Sequence, residues 1–369
     1  MKFDLNLNWR IALPTIILSL FGIVMVYSAS SYSASINYND AFYFVKKQAI
    51  GVVLGLVAML LLSNFDYKKL SKFKIASLIL GFVLLLLVFI PGIGIESYGA
   101  KRWIGFGFFS FQASEVAKFC FIIFAASYMA KNYKRLNSFW KILPVISVGG
   151  VMCLLIMLEP NMSITICLGG LMLVMLLLGG IRIKHLGLLV VPAILLVPIL
   201  IIIEPYRLNR LLAFLDPWAS PQGEGFQLIQ SLYSLGNGGL FGVGLFNSRQ
   251  KYNFLPFSES DFIFSIIGEE LGFVGAIGVV LIFLILIYNG YKVAMHSRDR
   301  LGFLLASGIS SILAIQVLLN IAVVTGAVPP TGLPLPFISA GSTSLVVFMS
   351  AVGVVLNISK QSKIANLLN

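Results

Sequence analysis

Apolar residues in this chain form long runs, and short polar segments rich in lysine and arginine separate them. The runs are long enough to cross a bilayer as helices, and they lack the apolar–polar alternation of barrel strands. The pattern predicts an all-α polytopic membrane protein with about ten transmembrane helices. We place the spans near Ile11–Tyr27, Ala49–Leu62, Ile75–Phe89, Glu115–Ala130, Leu143–Leu158, Ile164–Leu178, Leu186–Ile203, Phe262–Tyr288, Leu304–Val324 and Ser344–Leu356.

Composition agrees with a membrane protein. Of 369 residues, 59% are hydrophobic and 11% are charged, and the mean hydropathy is +0.97; these values lie outside the range of soluble domains. Most lysines and arginines fall on the side of the predicted bundle that holds both termini, so the positive-inside rule predicts cytoplasmic termini. The net charge of +12 follows from this topology, and we do not expect nucleic-acid binding.

Two segments interrupt the predicted single domain, 1–369. The first, at about 204–260 between the seventh and eighth spans, is far longer than typical connections and is therefore expected to be functional. Within it, Phe226–Tyr233 has the spacing of a short interfacial or re-entrant helix. The second, at about 325–344, is rich in proline and glycine yet apolar. We expect it to dip into the membrane and line a cavity; an ordinary extracytoplasmic turn is the alternative.

Acidic residues stand at and beyond the point where the long loop meets the eighth span. Carboxylates are costly in hydrocarbon and persist where they line a cavity, meet a partner or perform chemistry. Asp261, at the junction itself, is the candidate general base toward a lipid-borne substrate. The alternative is that Asp261 caps the helix. Glu269 and Glu270 lie about two turns deeper, and we expect them to serve structure or helix pairing.

Glu115 and Lys118 stand three residues apart at the outer end of the fourth span. Side chains at this spacing share a helix face and can pair, which is the cheapest way to keep a lysine at that depth. Two interpretations stay open. The pair is purely structural and holds helices together, or it forms the polar wall of a cavity in which Lys118 binds an anion.

Basic residues also occur on the outer side, against the bias of the positive-inside rule. Neighbouring acids can neutralise some of them, or they can bind an anionic ligand such as a phosphate, for which the planar fork of arginine is well suited. These outer basic residues are Lys101, Arg102, Arg207, Arg210, Arg249 and Lys251, and of them we select Lys101, Arg207, Arg210 and Lys251 as candidates for anion binding. No histidine or cysteine cluster has metal-ligand spacing. We therefore expect no cofactor, and a divalent-cation requirement is left open.

These residues lie in motifs that resemble one family along nearly the whole chain. The sequence is similar to the SEDS family (shape, elongation, division and sporulation), and most similar to its division and sporulation branch. The matching motifs are Gly99–Ile104 with Gln112–Lys118, Arg207–Arg210 with Phe214–Trp218, Gly225–Ser231, Gly242–Gly244 with Asn247–Lys251, Asp261–Phe264 with Gly268–Gly272, and Thr331–Ser339.

The resemblance implies a function. Members of this family polymerise lipid II, the undecaprenyl-pyrophosphate-linked disaccharide-pentapeptide, into glycan strands at the outer face of the bacterial cytoplasmic membrane. It implies that Asp261 is the catalytic base that deprotonates the acceptor C4 hydroxyl, with inversion to a β-1,4 linkage. Lys118, Arg207, Arg210 and Lys101 would stabilise the pyrophosphate. The expected partners are a class B penicillin-binding protein, other division or sporulation proteins, and membrane lipids.

Two departures and two rival functions accompany this resemblance. Many members carry Gln-Pro-Asp at the start of the sixth span, whereas this chain has Glu159-Pro160-Asn161, so any role of that charge is in doubt unless Glu159 supplies it. The loop before Asp261 also lacks a histidine that division members often have. The rivals are a lipid II flippase or transporter, and a non-catalytic scaffold for the transpeptidase.

Overall fold

A computed structural model describes residues 8–97, 100–106, 109–203 and 205–362. The long helices are α1 (Trp9–Tyr38), α2 (Tyr43–Ser63), α3 (Lys74–Leu87), α4 (Ala113–Asn132), α5 (Phe139–Leu158), α6 (Met162–Gly179), α7 (Ile183–Ile203), α10 (Ile263–Met295), α11 (Arg300–Val324) and α12 (Ser342–Gln361). Within the described ranges, nine helical segments have the length and hydropathy of membrane spans, with α3 counted from Tyr67 so that it includes the short 3-10 helix before it. The helix α7 coincides with the predicted seventh span, so the prediction of about ten transmembrane helices agrees with the structure.

The chain crosses the bundle in alternate directions, which gives it two faces. The terminal face holds the start of α1 and the end of α12, where Asn8 Nδ2 donates to Ser359 Oγ at 2.9 Å. The opposite face, which we call the Asp261 face, holds the start of α10 and the long connection before it. The helices α12 and α2 pack closely because Gly55 lies against Met349 and Gly353 lies against the backbone of Met59.

A small sheet on the Asp261 face was not anticipated from the sequence. It joins α3 to α4 through strands β1 (Gly94–Ser97), β2 (Ala100–Phe106) and β3 (Phe109–Gln112), which pair antiparallel in the order β1-β2-β3. The strands are only four, seven and four residues long, and period-two alternation is hard to recognise over such short lengths. The sheet matters because it carries Lys101 and Arg102 on adjacent positions of β2.

The long connection on the Asp261 face contains two helices, α8 (Pro205–Leu215) and α9 (Phe226–Gly238). The predicted short helix at Phe226–Tyr233 corresponds to the first part of α9. Between α9 and α10 the chain is irregular and uses left-handed backbone at Phe246, Asn253 and Phe257. Such conformations are uncommon for bulky residues, so surrounding contacts must hold this segment in place.

The helix α10 is divided by a kink at Gly272, where φ is +68°. A Cβ atom at this position would collide with the backbone of Gly242 and Leu240, so only glycine permits the close approach. The kink brings the irregular segment against α10, where Val243 N donates to Glu269 O at 2.9 Å. The loop before Asp261 is thereby anchored on the helix that follows it.

Candidate active site

Asp261 lies on the Asp261 face, immediately before α10, and its side chain is half-buried. The N-cap of α10 is Phe262, and no side chain makes a capping hydrogen bond there. The alternative that Asp261 serves as a helix cap is therefore wrong. The Asp261 carboxyl group therefore does not cap α10.

Burial, and to a lesser extent the neighbouring charge of Glu259, raises the pKa of Asp261 to about 6, although Arg102 and Arg210 act in the opposite direction. A carboxyl with a pKa near neutrality can take up a proton and release it at physiological pH. The two arginines place positive charge beside it. This combination suits a general base that acts next to an anionic group.

Arg102 was not among the predicted site residues, and the structure adds it. From β2 its guanidinium donates to the backbone carbonyls of Glu159, at 3.3 Å from Nε, and of Pro160. The alternation of a strand places Lys101, the predicted candidate, on the other face of the sheet, where it is exposed. The sequence signal for Arg102 was present in the same motif, but without the strand nothing distinguished it from Lys101.

Arg210, on α8, lies where the prediction expected a cation. Its Nη1 donates to Pro330 O at 3.2 Å, and its Nε is 3.8 Å from Glu224 Oε2. The side chain is about one-third exposed, so an anion can reach it. The side chain of its predicted companion, Arg207, lies outside the described residues.

The segment between α11 and α12 forms the wall next to Asp261. It is non-helical from 325 to 341, and Leu333, Leu335, Phe337 and Ile338 are buried in the bundle. The alternative of an ordinary turn outside the bundle is therefore wrong. Gly332 makes the closest approach, because a Cβ atom there would lie 3.2 Å from Asp261 Oδ2.

Glu115 and Lys118 form a buried pair at 2.8 Å. Lys118 Nζ also donates to Gln316 Oε1 at 2.7 Å, and Ser344 Oγ donates to Glu115 Oε2 at 3.0 Å. The lysine side chain has no exposed surface, so a soluble or lipid-borne anion has no access to it here. Of the two interpretations left open by the sequence, the structure favours the one in which the pair holds α4, α11 and α12 together.

Lys251 does not lie beside Asp261, in contrast to the predicted role in anion binding. Its ammonium is buried and donates to Glu270 Oε1 at 3.1 Å, Ser28 Oγ at 3.2 Å and Phe246 O at 2.6 Å. A lysine ammonium has three donors, and all three are in use. The structure therefore gives Lys251 a structural contact where the sequence predicted a substrate contact.

Glu269 and Glu270 accept hydrogen bonds from other residues of the loop that contains Lys251. We call these two glutamates, together with Ser248 and Lys251, the carboxylate clamp. Glu269 accepts from Arg249 N at 3.1 Å and from Ser248 Oγ, while Glu270 accepts from Ser248 N at 3.2 Å. These bonds tie the irregular loop to α10. The structural role expected for the two glutamates agrees with this arrangement.

The Glu159-Pro160-Asn161 turn joins α5 to α6. Asn161 is the N-cap of α6, and its Oδ1 accepts from Ile164 N at 3.3 Å, a role that asparagine and aspartate fill equally well. Both carboxyl oxygens of Glu159 are buried without a hydrogen-bond partner. Burial raises the pKa of Glu159 to about 8, and Arg102 acts against this shift. Replacement of the usual aspartate thus costs no cap, and Glu159 is a neutral carboxyl below that pH.

Among the residues that the structure describes, no three His, Cys, Asp or Glu side chains are grouped as metal ligands. A requirement for a divalent cation is therefore still open, as it was from the sequence.

The fold and site define a polytopic membrane protein in which the half-buried carboxyl of Asp261 lies near the charges of two arginines at one end of the bundle. A family model described as "Cell cycle protein", which covers the FtsW, RodA and SpoVE proteins, matches residues 9–364. The chain belongs to this family. The resemblance to the SEDS proteins found in the sequence is confirmed.

Individual relatives agree with the family model. The chain is 41% identical to stage V sporulation protein E of Bacillus subtilis, over 95% of this chain and 96% of that protein. It is 40% identical to the probable peptidoglycan glycosyltransferase FtsW of Geobacter metallireducens, over 98% and 99%. These alignments span both chains almost completely.

Solved structures share the fold. One chain, reported under "Structural coordination of polymerization and crosslinking by a peptidoglycan synthase complex", superposes with a TM-score of 0.79 at 26% identity, over 98% of this chain and 99% of that one. The rod shape determining protein RodA of Thermus thermophilus superposes with a TM-score of 0.71 at 22% identity, over 97% and 98%. The second likeness concerns the fold alone.

Proposed function

We propose that this protein is a peptidoglycan glycosyltransferase that polymerises lipid II into glycan strands, in cell division or sporulation, with Asp261 as its catalytic base. The names of the full-length relatives support the reaction. The observation that carries the assignment of the base is the half-buried carboxyl of Asp261, whose pKa is raised to about 6 while two arginines flank it.

The reaction needs one base and one stabilised leaving group. Asp261 takes the proton of the acceptor C4 hydroxyl as the C4 oxygen forms a bond to the donor C1. The bond from C1 to the pyrophosphate oxygen breaks, and inversion at C1 turns the α linkage into β-1,4. Arg210, which retains exposed surface, meets the negative charge that develops on the pyrophosphate. Asp261 then releases its proton to water.

The membrane orientation of this proposal follows from charge. The loops on the terminal face carry most of the lysines and arginines, and the positive-inside rule places such loops in the cytoplasm. The Asp261 face is then extracytoplasmic, at the outer surface of a bacterial inner membrane. A substrate anchored by its lipid in the outer leaflet would present its pyrophosphate at the level of Arg210.

The partner proposed from the family is a single-pass class B penicillin-binding protein that cross-links the new strands. A structural relative belongs to what its authors call a peptidoglycan synthase complex, which supports the expectation of a partner. Other division or sporulation proteins and membrane lipids complete the proposed surroundings.

A flippase would need a polar path across the bundle. The buried charges deeper than Asp261 are already paired, since Glu270 and Lys251 bind each other at 3.1 Å and Glu115 and Lys118 bind each other at 2.8 Å. Charges that are already paired offer little to a passing pyrophosphate. The structure of the site therefore favours an enzyme over a transporter.

Polymerisation in detergent tests this function, because detergent micelles have no second leaflet. Purified protein with its partner, freed of other glycosyltransferases, should convert purified lipid II into polymer that is resolved on a gel. The variant Asp261→Asn should express and bind the partner normally but yield no polymer. If the parent forms no polymer while labelled lipid II crosses liposome membranes in its presence, the transporter is the correct function. If the partner polymerises equally well with the Asn variant, the protein is a scaffold.

A further inference from the structure

The loop that carries Asp261 is fixed through its backbone carbonyls. Ala340 N donates to Glu259 O at 2.8 Å, and Ser339 Oγ donates to Ser260 O at 2.6 Å. Two consecutive residues before Asp261 are thus bound to the end of the non-helical segment between α11 and α12. The catalytic loop and that segment form one unit, although nearly eighty positions separate them in the sequence.

Asn320, on α11, completes this unit at Asp261 itself. Its Nδ2 donates to Asp261 O at 2.8 Å and to Leu333 O at 2.6 Å. The side chain is 1% exposed, and both neighbours are carbonyl acceptors, so only the amide nitrogen can face them. A single side chain therefore joins the backbone of the base to the backbone of the segment opposite.

The residues just before Leu333 contact the cationic side of the site. Pro330 O accepts from Arg210 Nη1 at 3.2 Å, and Thr331 O accepts from Ser163 Oγ, at the start of α6. Gly332 lies against the Asp261 carboxyl. The segment 330–333 thus separates the base from Arg210, and the amide of Asn320 is bound to one end of it.

We propose that Asn320 is a positioning residue that sets the spacing between Asp261 and the cationic side of the site. This inference rests on the proposed function, because the spacing matters only if Asp261 and Arg210 act on one substrate. Proton removal and departure of the pyrophosphate must occur in one geometry, and a displacement of about 1 Å costs about 100-fold in rate. The Leu333 carbonyl is buried and the Asp261 carbonyl is partly buried, so loss of the amide is costly, since nothing else described in the structure donates to them.

The test compares two buried asparagines. The variants Asn320→Ala and Asn320→Leu remove the amide, and leucine keeps most of the packed volume where alanine leaves a cavity. Asn357, on α12 at the terminal face, is the matched control. It is 5% exposed, donates to Ser63 O at 3.0 Å and accepts from Tyr67 N at 3.0 Å. Asn357→Ala and Asn357→Leu remove the same chemistry far from Asp261.

We expect kcat for lipid II polymerisation, per folded molecule, to fall about 10- to 100-fold in the Asn320 variants while KM changes less than about threefold. The Asn357 variants should lose thermal stability but keep kcat. The pH dependence gives a second readout. A loosened loop admits water to Asp261 while Glu259, Arg102 and Arg210 are retained, so the acidic limb of kcat should move to lower pH. It should stay in place in the Asn357 variants.

Each failure has its own result. Equal kcat per folded molecule in the Asn320 and Asn357 variants, with Asp261→Asn inactive, overturns the positioning role and leaves the proposed function intact. A rise in KM alone at Asn320 also overturns it, because that result indicates substrate binding. Full activity of Asp261→Asn in the same assay removes the proposed function, and the inference with it.

Discussion

Three carboxyl groups lie at or near the start of α10: Asp261 just before the helix, and Glu269 and Glu270 within it. They differ in the hydrogen-bond donors around them. In the carboxylate clamp, Glu269 accepts from two backbone amides and from serine hydroxyls, and Glu270 accepts from a lysine at 3.1 Å. The Asp261 carboxyl lies against Gly332, and the nearby charges of Arg102 and Arg210 lower its pKa. The clamp glutamates form hydrogen bonds within the protein, whereas the Asp261 carboxyl is available to a substrate.

The difference teaches how to separate structural from chemical acids in a membrane. A carboxylate that is buried among donors is stabilised in its charged form and is held by contacts within the protein. A half-buried carboxyl with few donors has a raised pKa and can exchange a proton. Sequence reasoning treats all three acids as costly in hydrocarbon, and only their partners distinguish them.

The clamp gives the largest expected effect on stability. Lys251→Met leaves Glu270 buried without its cation, and breaking a buried pair in this way costs about 3–5 kcal/mol. We expect a strong fall in the melting temperature, measured in detergent, while KM for lipid II stays within about twofold for the folded fraction. The exposed pair of Lys46 and Asp40, at 2.8 Å, is the control, because exposed ion pairs contribute little and Lys46→Met should leave the melting temperature nearly unchanged.

This variant also decides the role predicted for Lys251 from the sequence. If Lys251 binds pyrophosphate, its replacement raises KM and leaves the melting temperature unchanged. That result would contradict the structural role of Lys251 and would make it a second substrate-binding cation besides Arg210.

The next effect is on catalysis and comes from the wall beside Asp261. At Gly332, where φ is +69°, a Cβ atom would lie 3.2 Å from Asp261 Oδ2 and push the carboxyl aside. The carboxyl has to move by a few tenths of an ångström, so we expect Gly332→Ala to lower kcat by about 10-fold, less than the ~100-fold that a 1 Å displacement can cost. Polymer formation from purified lipid II measures this effect.

Gly180 provides the matched control. Its φ is +88°, and a Cβ atom there would meet nothing within 4 Å. Gly180→Ala therefore carries a similar backbone strain, about 1–2 kcal/mol, without touching Asp261. Similar losses of kcat in the two variants would mean that strain alone is responsible and that the contact with Asp261 has no catalytic importance.

Most of the fold could be predicted from the sequence because membrane spans are long and locally encoded. The predicted start of the eighth span, at Phe262, is one residue from the start of α10 at Ile263. The kink at Gly272 and the sheet formed by β1–β3 could not be predicted in the same way. Both depend on contacts with distant segments, such as the one between Gly272 and Gly242.

The site was predictable only in part. Asp261 was selected because a charge at a loop–helix junction is unusual, and Arg210 because two arginines stand three residues apart. Lys118 was expected to pair with Glu115, and the structure forms that pair. Lys251 was selected by its charge, and its pairing with Glu270 was not predicted. Arg102 and Asn320 were not selected, since their importance comes from carbonyls that lie far away in the sequence. Long-range partners, which a single sequence does not display, make this difference.

The smallest expected effect concerns Glu159, which is buried like the clamp but has no donors. Its pKa is raised from 4.5 to about 8, so the folded protein holds this proton more tightly than the unfolded chain does. Stability is therefore greatest below the unfolded pKa and is lost as pH rises toward the folded pKa. Glu159→Gln removes this dependence, and the advantage of the variant over the parent in melting temperature should grow from about pH 5 to about pH 8.

Glu96→Gln is the control for that experiment, because it removes an exposed carboxyl from the same face. Its melting temperature should follow the parent at every pH. Activity gives a second comparison, since the charge of Arg102 acts on the pKa of both Glu159 and Asp261. If Glu159→Gln abolishes polymerisation at pH 6, where both forms of residue 159 are neutral, the carboxyl is part of the chemistry. In that case Asp261 is not the one carboxyl with a catalytic role, and Glu159 joins it.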